Sequence, residues 1–364
     1  MKNTFGNSIT VTLFGESHGA YIGAVLDGIA PGMRIDREHI CKRLAQRRPS
    51  GKISTARVEA DEYSIVSGEQ DGYTTGTPLC ILIPNTNAHS KDYAALRDVP
   101  RPGHADYTAE RKYGGFQDAR GGGHFSGRLT AAIVAAGAIL ESALNEKGIY
   151  IGTHISELHG CHDRGFDDIS ADIAALSDCG FPTLSAPDKM IAEIEKAASV
   201  GDSVGGILES AVVGIPAGVG EPWFDSMESM LSHGLFAIPG VKGVEFGLGF
   251  AFADVYGSEG NDPFAIEDGR VVTTTNNNGG INGGITNGMP VIFRTAIKPT
   301  PSIFKEQQSV RLSDASECTL KLEGRHDPAI IHRARAVVDA TTAIVIADML
   351  TVKFGTDYLK SAKK

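Results

Sequence analysis

Apolar and polar positions alternate with period two over residues 8–13 and 56–60, which predicts strands with one buried face. Residues 78–83 form a continuous apolar run of strand length, and residues 206–215, 244–255 and 289–297 carry further strand signals, the last mostly β-branched or apolar. Helical spacing replaces alternation in five places. Asp36 is placed to cap a helix that puts Ile40 and Leu44 on one face and ends before Pro49. Ser126 is placed to cap a helix over 127–146, with Gly148 as its stop. Residues 188–199 bring Ile191, Ile194 and Ala198 to one face, and a short helix is expected from Asp225 to Gly234. The last is expected to begin at Asp327, with Pro328 at the first helical position, and to run to about Leu350.

Strands fall in blocks instead of alternating strictly with helices. That pattern points to an α+β fold with largely antiparallel sheets over a doubly wound parallel one. No internal repeat or linker interrupts it. The glycine-rich stretch 273–288 reads as a ligand loop because strong strand signals resume beyond it. A length of 364 residues allows two domains, but the polar motifs described next run from residue 15 to residue 328. One site would need both ends of the chain, so a single domain over 1–364 is expected.

Composition narrows the function classes. A net charge of −10 argues against nonspecific nucleic-acid or membrane-surface binding. The five cysteines form no C-x-x-C pair and no zinc spacing, which suggests reduced thiols in a cytoplasmic protein. His154, His159, Cys161 and His162 imitate a metal site only loosely, and no metal is expected. No signal-peptide pattern opens the chain, and the longest uninterrupted apolar run, 131–140, is short for a membrane span.

Candidate chemistry lies in the polar motifs. Gly15-Glu16-Ser17-His18-Gly19 follows a strand signal, so His18 is expected at a strand end facing a cleft. Arg101-Pro102-Gly103-His104-Ala105-Asp106 puts a second histidine between a cation and a carboxylate. Gly324-Arg325-His326-Asp327-Pro328 offers a carboxylate that could act as a base or simply cap a helix. Residues 120–128 combine glycines with two arginines before a helix, a geometry suited to an anion. That stretch lacks the lysine and Ser/Thr of an ATPase loop, since Arg128 and Leu129 stand there. Arg43, Arg47, Arg48 and Arg57 flank a helix end, either as a solvated face or as anion ligands.

Taken in order, these motifs together with Gly280–Gly284 and Lys298-Pro299-Thr300-Pro301-Ser302 resemble the chorismate synthase family along essentially the whole chain. The resemblance implies a β-α-β sandwich of two antiparallel sheets with packed helices. It implies a lyase of the shikimate pathway, which makes chorismate and phosphate from 5-enolpyruvylshikimate 3-phosphate by anti-1,4-elimination. The implied cofactor is reduced FMN (FMNH2), without net redox change, with the cofactor carrying the hard step. NADPH enters only if the chain also reduces its own flavin. The absence of a recognisable insertion favours a separate flavin reductase. A homotetramer is the implied assembly.

By the same resemblance His18 protonates the departing phosphate, His104 keeps the reduced flavin correctly protonated, and Asp327 acts as base. Ser17, Arg47, Arg48, Arg57, Arg101 and Arg128 are implied to bind substrate. FMN contacts fall on His124, Phe125, Ser126, Gly283, Lys298, Pro299, Thr300, Pro301, Ser302 and Arg325. Two departures stand out. His124-Phe125-Ser126-Gly127-Arg128 replaces a frequent Arg-Ser-Ser-Ala-Arg, and the stretch after Arg333 lacks the family's frequent proline.

Overall fold

The computed structural model describes residues 2–49, 53–54, 60–86, 98–322, 324 and 326–362. Two five-stranded sheets enclose a layer of helices. The first sheet contains β1 (Thr4–Phe5), β2 (Thr10–Gly15), β3 (Tyr21–Asp27), β4 (Ser64–Ser67) and β5 (Leu79–Pro84), in the order β1-β2-β3-β5-β4. The second contains β6 (Tyr150–Leu158), β7 (Cys161–His162), β8 (Gly206–Val213), β9 (Val241–Phe246) and β10 (Val291–Ile297), in the order β9-β10-β8-β6-β7. Every strand pair in both sheets is antiparallel. The α+β expectation holds.

The helices are α1 (Arg37–Arg47), α2 (Asp106–Tyr113), α3 (Thr130–Glu146), α4 (Ile169–Ser177), α5 (Pro187–Ser199), α6 (Met227–Phe236), α7 (Gly257–Gly260) and α8 (Ile331–Phe354). α3 lies against β3 and β5, α8 lies against β6 and β8, and the two helices pack on each other. Their approach is close because Gly137 has no side chain: a Cβ there would come within 2.5 Å of Ala340. Sandwiched helices must be apolar on all sides, and α8 buries all but its first-turn arginine and last three residues along 331–354. With its preceding turn, α3 is long and apolar enough to cross a membrane by composition, yet it is the buried centre of the helix layer. One hydrophobic cluster joins Ile9 of the first sheet to Leu359 near the C-terminus.

Several expectations change in detail. Asp36 does cap α1, its Oδ1 accepting from His39 N at 2.9 Å. Ser126 Oγ accepts from Arg128 N at 3.2 Å, and a 3₁₀ turn over Gly127–Leu129 leads into α3. The last helix starts at Ile331, not at Asp327, because Asp327 turns its carboxylate to Arg333 and supplies no cap. α6 starts after Ser226 and passes through Gly234, whose missing side chain admits Thr341 and Val345 of α8. The strand signal over 244–255 stops at Phe246, since Gly247 and Gly249 adopt positive φ. Strands β3 and β6 and helices α2 and α4 were not anticipated. Residues 55–59, and with them most of the strand expected at 56–60, lie outside the described residues.

Candidate active site

β2 ends at Gly15 (φ 100°), and the chain turns back into β3 through five residues that include Ser17 and His18. Both side chains are buried. Ser17 Oγ lies 3.1 Å from the Arg120 carbonyl and 3.1 Å from His18 Nδ1. A carbonyl only accepts, so the serine proton goes to Arg120 and His18 Nδ1–H donates to Ser17. Nε2 is the His18 ring nitrogen that Ser17 does not engage.

His104 stands in the turn before α2. Its Nδ1 is 2.7 Å from Asp106 Oδ1 and 3.1 Å from an Arg101 nitrogen, which can only donate. The shorter, charge-assisted contact assigns an Nδ1–H to Asp106. Arg101 grips the same carboxylate with Nε and Nη2, both at 2.8 Å. Burial pushes the Asp106 carboxyl upward, but the hydrogen bonds from Arg101 and His104 outweigh it and hold the group well below the usual carboxylate range.

The glycine run joins these two histidines. Gly121, Gly122 and Gly123 all have positive φ (60°, 94° and 52°). A Cβ on Gly121 would sit 2.2 Å from His18 Cε1, and one on Gly122 would sit 3.2 Å from His104 Cε1. Glycine is required here so that two imidazoles can close on one strip of backbone. The residues after it are engaged within the fold. His124 Nδ1 donates to the Gly15 carbonyl at 2.8 Å, Phe125 packs edge-on against Tyr113, and Ser126 caps the turn into α3.

The loop Lys298–Ser302 leaves the end of β10 and runs beside the His104 turn. Lys298 Nζ donates to the Gly103 carbonyl, and burial, with Lys242 nearby, lowers the lysine pKa. Pro102, Gly103, Ser203, Lys298, Thr300 and Pro301 line a groove open to solvent. Thr300 Oγ1 is buried without a hydrogen-bond partner among the described residues, as is His326 Nε2. Ser203 Oγ donates to the Thr300 carbonyl at 2.7 Å, and Val204 N donates to the Pro328 carbonyl at 2.8 Å. That double bridge draws the Asp327 segment toward the same loop. Asp327 pairs with Arg333, in the first turn of α8. Burial, then the Arg101 charge, push the His326 pKa down against the weaker pull of Asp327.

The arginines divide. Arg47 Nη2 is 2.7 Å from Asp61 Oδ2, Arg48 Nε is 3.8 Å from it, and Arg128 bonds to Asp61 Oδ1. Arg43 belongs elsewhere, in the helix layer with Glu141 and Asp339. Gly283 lies in the small hairpin before β10, where its neighbour Gly284 accepts from Met227 N at 2.9 Å. It therefore sits at the opposite end of β10 from Lys298. Arg57 and Arg325 lie outside the described residues. His154 bonds Asp163 and Glu209, His159 bonds Glu193, and His162 faces Glu157, so these histidines point to separate carboxylates.

Sequence reasoning missed Asp61, Asn85 and Ser203. Asn85 follows an apolar strand, a place where a fixed polar side chain is worth noting. Asp61 and Ser203 carried no local signal, because their partners are distant in the chain.

Residues 9–351 match the family model described as chorismate synthase. The chain belongs to the chorismate synthase family. It is 48% identical over 346 residues to the chorismate synthase of Pyrococcus abyssi, covering 95% of this chain and 96% of that one. Over 352 residues it is 45% identical to the chorismate synthase of a Dehalococcoides mccartyi strain, covering 96% of both. A solved structure titled as the crystal structure of chorismate synthase superimposes with a TM-score of 0.75 at 28% identity, over 97% of this chain and 94% of that one. Membership over nearly the full length carries the family's reaction, a lyase step that forms chorismate in the shikimate pathway.

Proposed function

We propose that this chain, acting as one unit over its whole length, eliminates phosphate from 5-enolpyruvylshikimate 3-phosphate at the site between the two histidine turns. The observation that carries the reading is the placement of His18 and His104 on adjacent glycines of one backbone strip, with the Nδ1 of one held by Ser17 and that of the other by Asp106. An imidazole with a near-neutral intrinsic pKa suits a proton donor to a departing phosphate, and His18 takes that role. His104, oriented by Asp106 and Arg101, holds a proton at Nε2 beside the cofactor. Asp327, oriented by Arg333, accepts the proton lost from carbon. Arg48 meets a substrate anion, while Arg47, Arg101 and Arg128 fix the cationic wall around it and Ser17 fixes His18. Arg57 is assigned with them from the family resemblance.

Reduced FMN fits the groove. Proline walls and the glycine at 103 admit a flat ring, Lys298 offers a cation to a phosphate, and the buried Thr300 Oγ1 awaits a partner. Lys298, Pro299, Thr300, Pro301 and Ser302 would hold it, with His124, Phe125, Ser126, Gly283 and Arg325 assigned from resemblance alone. When bound, the cofactor supplies the transient electron that an unacidified C–H elimination requires. Supply of reduced flavin by a separate reductase, with no NADPH chemistry on this chain, is part of the same reading.

Two further points belong to it. All five cysteines are unpaired, which supports a cytoplasmic protein. Exposed Phe250, Tyr256, Phe264, Ile266 and Val271 lie beyond the β9 edge of the second sheet and support self-association as a homotetramer, checked by light scattering.

The test is an anaerobic assay with 5-enolpyruvylshikimate 3-phosphate, following chorismate and phosphate together. One sample receives chemically reduced FMN, the other oxidised FMN with NADPH. Equal yields of both products in the first sample alone are expected. Activity in both would add a reductase function, and silence in both, with FMN bound, would refute the proposal.

A further inference from the structure

Asp61 and Asn85 have no part in the chemistry described above, yet both are built into the wall of the site. Asp61 is 3% exposed, and its backbone holds φ at 50°, a conformation that aspartate tolerates better than most residues. Its two oxygens collect guanidinium groups from separate elements. Arg47 comes from the end of α1, Arg48 from the residue after it, and Arg128 from the turn into α3. Arg128 then spans to the first sheet: its Nε donates to Asn85 Oδ1 at 3.1 Å and its Nη2 to the Pro84 carbonyl at 3.2 Å.

Asn85 completes the span. Its Nδ2 donates to the carbonyls of Glu16 and Gly19, both at 2.9 Å, and its backbone N donates to the Ala20 carbonyl at 3.1 Å. An arginine on one side and two carbonyls on the other fix the amide's orientation without ambiguity. The two carbonyls bracket Ser17 and His18.

We infer that Asp61 and Asn85 are positioning residues, which join the arginine cluster to the His18 turn through one hydrogen-bonded chain, Asp61–Arg128–Asn85. The role given to His18 rests on the function proposed above; the chain itself does not. Asp61 cannot reach a ligand, because its side chain is wholly enclosed. Its effect passes through the direction of Arg48, whose side chain is 36% exposed. Asn85 acts through the turn that aims His18. Small errors in such supporting contacts reduce rate steeply, because the reacting groups leave productive geometry.

Asp61→Glu and Asn85→Ala separate the two ends. Asp61→Glu keeps the charge but lengthens the side chain by one methylene, tilting the guanidiniums it holds. It should raise the KM for 5-enolpyruvylshikimate 3-phosphate about tenfold and leave kcat within about threefold. Asn85→Ala frees the turn. It should lower kcat about tenfold to a hundredfold with KM within about threefold. In ligand-free protein the His18 Cε1–H resonance should move in Asn85→Ala and, less, in Asp61→Glu. Thermal unfolding midpoints of all three proteins establish that each is folded.

An unmoved His18 resonance in folded Asn85→Ala would overturn the inference. So would variants that lose only thermal stability while kcat and KM of the folded protein match wild type. If Asp61→Glu does not fold, Asn85→Ala decides alone. A wild-type protein that makes no chorismate sinks the functional reading instead, and the resonance still tests the chain.

Discussion

Two regions of this molecule bury arginines against carboxylates, and they do different things. In the helix layer Arg43 bonds Glu141 at 2.9 Å and Asp339 at 2.6 Å, with His39 also on Glu141 and Arg335 close by. Every member except His39 is closed off from solvent. Around Asp61 three guanidiniums meet one carboxylate among the described residues, and Arg48 leads from the group to solvent. The first cluster is sealed except at His39 and pins α1, α3 and α8 together. The second has an open edge at Arg48, whose side chain is partly exposed. An arginine's burial therefore says little about its role; what matters is whether the cluster leaves a guanidinium edge that an incoming anion can reach.

The largest effect should come from breaking the sealed cluster. Asp339→Ala leaves Arg43 buried without one of its carboxylates, a change that typically costs about 3–5 kcal/mol. A large drop in the denaturant midpoint is expected, with unchanged kcat and KM in the protein that remains folded. A mild drop would show that water enters the helix layer and would blur the distinction between the clusters.

Arg48→Gln attacks the open cluster. The expected result is a rise of about tenfold to a hundredfold in substrate KM, equivalent to about 1.4–2.8 kcal/mol, with little change in the unfolding midpoint. If instead stability falls and KM holds, the open edge has a structural use only.

His332, buried in the first turn of α8, adds a third case, a buried base without a carboxylate partner among the described residues. Burial, then the neighbouring Arg333 charge, push its pKa down to about 3, and its Nε2 lies 2.8 Å from Ser54 Oγ. The folded value lies below the ordinary histidine value, so the unfolded chain binds the extra proton between about pH 6.5 and pH 3. The stabilisation is complete above that window and is lost as pH falls through it, by up to about 1.4 kcal/mol per pH unit. His332→Gln should flatten this acid limb in unfolding experiments from pH 7 to pH 4. An unchanged limb would assign it to the carboxylate pairs.

The smallest effect belongs to Ser126→Ala. Losing the side-chain cap on the turn before α3 should cost about 1 kcal/mol, read as a modest shift in unfolding midpoint. A much larger loss of activity than of stability would show that the Arg128 backbone, not only its side chain, is part of the site.

Local patterns carried much of the fold. The mostly β-branched or apolar run at 289–297 became β10, buried at every second residue, and the cap at Asp36 formed as its side-chain chemistry requires. The Asp-Pro pair at 327–328 misled for a related reason. Asp before Pro favours a helix start, but the long-range pull of Arg333 took the carboxylate away and the helix began three residues after the proline. β3 and β6 escaped because each mixes glycine or polar residues into a buried sequence whose cover comes from distant elements.

The site followed the same division. By itself the sequence determined the turns: glycine at 121–123, with backbone angles only glycine takes easily, and the two histidines beside flexible or rigid neighbours. Those are short-range consequences of covalent geometry, and the ordered motifs sufficed to reveal the family. Only the tertiary structure decided that Gly121 meets His18 while Gly122 meets His104, or that Arg47 and Arg128 share a carboxylate with Arg48. It also decided that Asn85 braces the His18 turn, a contact spanning 69 residues of sequence. Contacts of that kind depend on how two sheets and a helix layer pack, and no local preference of the residues themselves encodes them.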